Sequence, residues 1–181
     1  MDLKDGIIGP FAGTGGEAIT DGPLDTAELA QPCGITTDGT KLFFADSETS
    51  SVRSADIDPE GNVRTIVGLD LFVFGDVDGS DHHVRLQHPI GITHYDGVLY
   101  ITDTYNHKVK RVLPAMRSAF TVLGNGAAGH VDGAAEQAQF SEPSGISFAS
   151  GNMYIADTNN NAIRVADIES GVVSTLEISV I

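Results

Sequence analysis

Three short stretches depart from the rhythm of a surface strand: LFFAD (42–46), LYITD (99–103) and MYIAD (153–157) are apolar at consecutive positions and end on Asp. A half-exposed strand alternates apolar and polar residues, whereas a strand covered on both faces is apolar throughout. Each stretch follows a Pro-x-Gly-Ile segment: Pro32, Gly34, Ile35; Pro89, Gly91, Ile92; Pro143, Gly145, Ile146. Between segment and stretch stands Asp38-Gly39, Asp96-Gly97 or Ser150-Gly151, the composition of a tight hairpin. A third run (SVRSA, KVKRV, AIRVA) comes after a four-residue turn, and a fourth (VRTIV, AFTVL, VVSTL) after Asp58-Pro59, Leu113-Pro114 or Ser170-Gly171. The Pro-x-Gly-Ile residues and the Asp that closes each stretch recur at offsets of 57 and then 54 residues, which marks a repeat architecture.

Hairpins this tight leave no room for parallel crossovers, so each repeat is predicted to be a four-stranded antiparallel meander. Meanders buried on both faces must stack around an axis, each covering the next, as the blades of an all-β propeller do. A two-sheet sandwich would have wet outer faces and alternating strands, which LFFA, LYIT and MYIA are not. The predicted blades take roughly residues 14–67, 68–123 and 124–176, with an extra outer strand at 7–13. Closed propellers have about four to eight blades, so three do not close a ring. Either two chains join head to tail into a six-bladed ring or the blades belong to a longer polypeptide. A half-ring would expose a large apolar face, so self-association as a homodimer is the expectation. The extra strand would then swap between chains, add a fifth strand or lie loose.

The segments between blades are patterned as well. Asp21-Gly22, Asp78-Gly79 and Asp132-Gly133 mark a turn, and Leu29, Leu86 and Phe140, three residues before each Pro, are apolar anchors. AAEQAQF (134–140) has the composition of a short helical turn.

Composition narrows the partners. With 41% apolar and 19% charged residues the balance is that of a soluble globular domain. A formal charge of -15 repels phosphate backbones, so nucleic acid is not an expected partner. The single Cys33 cannot form an intramolecular disulfide; it stands where the other repeats have Ile90 and Ser144, and reads as a small buried strand residue. MDLKDGIIGPF lacks the basic and apolar regions of a signal peptide, and no apolar run approaches the roughly 20 residues of a membrane span. A cytoplasmic location without a membrane partner is the default expectation.

Candidate chemistry falls into two sets. The Asp closing each second strand and the basic residue seven positions later (Asp46 and Arg53, Asp103 and Lys110, Asp157 and Arg164) become diagonal neighbours across a hairpin with a four-residue turn. Recurrence in every blade suits a structural ion pair, because a catalytic Asp is needed once. The other set lies in turns and connections: Asp76, Asp78, Asp81, His82, His83, Tyr105, Asn106, His107, Asn159 and Asn160. The Asp76–His83 run is dense in potential ligands for a hard cation such as calcium. Its Gly79 comes too early for an EF-hand loop, though, and no terminal Glu follows at the required spacing, so a loop turn is the preferred reading. No cofactor is assigned. His-x-x-x-His, Gly-x-Ser-x-Gly, P-loop and paired-carboxylate signatures are absent from the sequence.

FADSETSSVR, ITDTYNHKVKRV and IADTNNNAIRV resemble the signature of NHL repeats. More narrowly, LFVFGDVDG followed by RLQHPIGIT and TDTYNHKVK resembles the propeller of NHL-repeat proteins that carry a thioredoxin-like domain. The resemblance implies a six-bladed propeller and a family of scaffolds, RNA binders and a few enzymes. Without a Cys-x-x-Cys no redox role carries over. The expected function is a non-enzymatic binding or scaffold module whose loop face takes a protein, peptide or small ligand. The alternative is a metal-dependent propeller lyase or hydrolase with its cation in the axial channel, where the inner strands offer only His94 and Cys33 as ligands.

Overall fold

The computed structural model describes Gly6 and residues 9–177. Three antiparallel sheets follow one another along the chain. The first holds β1 (Gly22–Pro23), β2 (Pro32–Thr37), β3 (Lys41–Asp46), β4 (Ser51–Asp56) and β5 (Asn62–Val67) in the order β1-β5-β4-β3-β2. The second repeats that order with β6 (Gly79–Ser80), β7 (Pro89–Tyr95), β8 (Val98–Asp103), β9 (Lys108–Leu113) and β10 (Ser118–Leu123). The third does so with β11 (Gly133–Ala134), β12 (Pro143–Ala149), β13 (Asn152–Asp157), β14 (Ala162–Asp167) and β15 (Val172–Thr175).

Each blade thus has five strands where the pattern predicted four. The additional member is the two-residue piece after each Asp-Gly, which pairs with the outermost long strand (Gly22 with Val63, Gly133 with Val173). Such short segments carry too few apolar residues to read as strands from sequence. Of the predicted strand at 7–13, Ile7 and Ile8 lie outside the described residues, and 9–13 are not strand. Gly13 N–H instead donates to Leu24 O and Thr14 N–H to Ala27 O, so this piece follows the connection that precedes β2.

Sheets one and two bury Phe43, Val52, Ile66 and Val67 against Leu86, Ile92, Leu99, Ile101 and Val112. Sheets two and three bury Val109 and Leu123 against Phe140, Met153, Ile155, Ala166 and Val173. The anchors Leu86 and Phe140 are completely buried, and each such side chain contributes about 1.5–3 kcal/mol relative to exposure. Near the axis the blades touch through backbone. A Cβ on Gly34 would stand 2.5 Å from Ile90 O and one on Gly91 only 2.0 Å from Ser144 O, closer than real Cβ atoms come.

The two end faces of the stack differ from the interior. Cys33, expected to be buried, is exposed on β2, because sheet one has a neighbour on one side only. β13 shows the same effect at the other end: its burial alternates, with Met153, Ile155 and Asp157 covered and Tyr154 and Ala156 partly open, although its sequence is continuously apolar.

Candidate binding face

The strand-two Asp and the basic residue meet as the spacing predicted. Asp46 pairs with Ser51 across β3 and β4, and Arg53 Nη1 donates to Asp46 Oδ2 at 2.8 Å, with both side chains fully buried. Arg164 Nη1 does the same to Asp157 Oδ2 at 2.7 Å. The Arg fork also reaches back into the connection, to Thr20 O, Glu28 O and Asp21 in blade one and to Val131 O, Gln139 O and Asp132 in blade three. The other oxygen of each strand-two Asp accepts a backbone N–H from just before the Pro: Ala30, Gln87 or Ser141. The Asp of each Asp-Gly turn, a participant that sequence reasoning missed, accepts the N–H and hydroxyl of an outer-strand Thr: Thr65, Thr121 or Thr175. The signal was a Thr at 44, 43 and 43 residues beyond that Asp. These networks clamp strands to connections and leave their groups no freedom to act on a ligand.

Blade two builds the clamp differently. Lys110 Nζ lies 2.8 Å from Asp76, 3.1 Å from Asp78 and 3.2 Å from Asp103, and Lys108 also pairs with Asp76. Burial pushes the Asp103 carboxyl up from 3.8 to about 6, against the pull of Lys110, Asn106 and the Gln87 N–H. Burial also works against ionisation of Asp76, but its bonds to Lys108 and Lys110 prevail and hold it below the ordinary value. Desolvation opposes the Lys110 charge, and the surrounding carboxylates, Asp103 foremost, still raise its pKa. Asp76 and Asp78, weighed above as potential cation ligands and read instead as part of a loop turn, face an internal ammonium. Among the described residues no group of three His, Cys, Asp or Glu is placed to hold a metal ion.

The remaining candidates separate. Asp81, His82 and His83 form a short 3-10 turn beside the start of β10, where Asp81 pairs with Arg117 at 3.0 Å and the two imidazoles lie 4.4 Å apart. That turn sits at the end of the blade opposite to Tyr105. Asn106 and Asn160 point inward, each donating to a connection carbonyl (Gly75 O, Gly129 O) and to the strand-two Asp. His107, with a left-handed φ of 55°, accepts the Glu142 N–H on its Nδ1. Tyr105 and Asn159 are exposed.

Two positions per blade line the face around Tyr105, and of the residues there Gln31, Glu48, His88 and Glu142 escaped the sequence reading. One precedes the Pro (Gln31, His88, Glu142) and the other is second in the four-residue turn (Glu48, Tyr105, Asn159). Glu48, His88 and Tyr105 form one row: the His88 ring lies 4.6 Å from Tyr105, and His88 Nε2 lies 3.4 Å from Glu48. Beside them runs the connection from β5 to β6. It leaves β5 at Gly68, against Ser51, and is held at Gly75 by Asn106. In this connection Asp78 lies ten residues beyond Gly68, whereas Asp21 lies eight beyond Gly13 and Asp132 eight beyond Gly124. Its extra length presents Phe72, 85% exposed, and Phe74, 52% exposed. The legible signal was the difference between the 57- and 54-residue offsets.

The sequence is similar to proteins of known kind. The chain is 41% identical over 193 residues to NHL repeat-containing protein 2 of Gallus gallus, covering 98% of this chain and 26% of that protein. It is 37% identical to NHL repeat-containing protein 2 of Homo sapiens, with the same coverage. Protein SUPPRESSOR OF QUENCHING 1, chloroplastic, of Arabidopsis thaliana is 42% identical over 93% of the chain and 17% of that protein. The chain belongs to the NHL-repeat family. It spans about a quarter or less of the length of these relatives, and no family model matches it. Solved β-propeller structures share the fold at low identity. An auxiliary nutrient binding protein of Bacteroides ovatus superposes with a TM-score of 0.62 at 17% identity over 82% of this chain and 36% of that one. Virginiamycin B lyase of Staphylococcus aureus gives 0.56 at 15% identity over 84% and 44%.

Proposed function

We propose that this NHL-repeat chain is a recognition module that holds a protein or peptide segment on the face carrying Phe72, Phe74, His88 and Tyr105. The observation that carries the reading is the lengthened connection with its two solvent-facing phenylalanines. Leaving Phe72 in water is unfavourable, and exposed aromatics on a rigid scaffold are the usual anchors of an interface. The neighbouring Glu48 and Glu142, together with the chain's charge of -15, favour a partner in which an apolar anchor is flanked by basic residues. Among the described residues no group on this face is arranged as a nucleophile with its base, and binding rather than turnover is the reading this supports.

The test is a displayed library of short peptides screened against the wild-type chain and against Phe72→Ser with Tyr105→Ala. Apolar-basic peptides that bind the wild type and lose about tenfold or more in affinity to the double variant would support the reading, that loss being about 1.4 kcal/mol. Binding that is unchanged in the variant, or selected acidic peptides, would overturn it.

A further inference from the structure

The open face of sheet three is finished as a blade interface. At both internal interfaces the repeat glycine lies under the carbonyl of the residue before the next blade's glycine, Gly34 under Ile90 O and Gly91 under Ser144 O. At both, a turn side chain receives the N–H of the residue before the next blade's Pro: Ser50 Oγ from His88 at 3.2 Å, His107 Nδ1 from Glu142 at 3.1 Å. Sheet three repeats both provisions, and no blade among the described residues stands against them. A Cβ on Gly145 would meet only the Ala156 side chain, at 3.4 Å, and no positive φ calls for glycine there. Asn161 is exposed at the position of Ser50 and His107. A groove of about 560 Å³ lies beside it, lined by His130, Ile163 and Leu176 among others.

Sheet one carries the complement at the opposite end. Gln31 is exposed and shares the left-handed backbone of His88 and Glu142, with φ of 61°. Ile35 is 63% exposed and Phe11 46%, beside an apolar pocket of about 320 Å³ walled by Leu29, Leu42 and Phe44.

We infer that the open face of sheet three receives sheet one of a second copy of this chain, head to tail. The Cys33 carbonyl of the second copy then lies over Gly145, and its Gln31 N–H reaches the Asn161 side chain. Three blades from each copy close a two-fold ring, within the range of about four to eight blades that propellers use. The occupant is a second copy because this chain carries both halves of an interface that it already forms twice internally.

Sedimentation of the purified 181-residue chain at micromolar concentration is expected to give twice its 19.0 kDa mass. Gly145→Val, which has room within its own chain, fouls one side of the joint, and Ile35→Lys fouls the other. Each variant alone is expected to be a folded monomer by circular dichroism, with dimer affinity down by about tenfold or more, the usual cost of overpacking. Mixing them restores a heterodimer through one joint that is wild type on both sides, which no like-to-like pairing of faces would do. A monomeric wild type, with the faces left to further repeats or other chains, would overturn the proposal. So would an open-ended polymer, a dimer indifferent to Gly145→Val, or failure of the mixture to associate.

Discussion

Blades one and three close their clamps with an arginine, blade two with a lysine, and the difference shows what each cation demands of its surroundings. Arg53 and Arg164 satisfy two connection carbonyls and two carboxylates through a planar fork, so one strand-two Asp and one turn Asp suffice. Lys110 offers a compact charge and gathers carboxylates instead: Asp76 joins Asp78 and Asp103 where the other blades have Ile19 and His130. The surplus acid is what Lys108 offsets.

Removing the strand-two carboxylate should expose that difference most. Asp157→Ala leaves Arg164 buried with only the half-exposed Asp132, and is expected to cost about 3–5 kcal/mol in urea denaturation. Asp103→Ala should cost distinctly less, because Lys110 keeps two carboxylates; equal losses would show that the Asp76 pairing contributes nothing.

Acidity sharpens the comparison further. The folded-state pKa of Asp103 is raised from 3.8 to about 6, so the folded chain holds this proton more tightly than the unfolded chain. The stability linked to this proton is present below pH 3.8 and is lost as pH rises through about 6. Asp103→Asn should remove that descent, which amounts to at most about 3 kcal/mol. Denaturation midpoints measured across the range would decide it.

The smallest effect concerns exchange of the cations. Lys110→Arg places a larger fork among three carboxylates and should cost about 1–3 kcal/mol. Adding Asp76→His, the residue blade three carries at that position, should recover part of the loss, with a coupling of about 0.5 kcal/mol or more in the double-mutant cycle. Additive losses would mean that Asp76 does not set the choice of lysine.

How much of this was legible depended on distance along the chain. Asp46 and Arg53 could be paired by counting, since a hairpin with a four-residue turn has one register. Asp21 could not, because it reaches Arg53 and Thr65 only after the connection has folded back along the outer strand. Asp81, His82 and His83 adjoin Asp78 in sequence, yet the same connection carries them to the other end of the blade. His88 and Glu48 are 40 positions apart and meet because adjacent blades are stacked.

The residue pattern alone determined the repeat, the four long strands of each blade and their order, because hairpin turns and the apolar period are local properties. Packing alone decided which apolar strand faces stay open, which carboxylates an internal cation claims, and which turn residues line one surface. Those outcomes depend on what a neighbouring blade brings within a few ångströms, and no spacing along one chain encodes that.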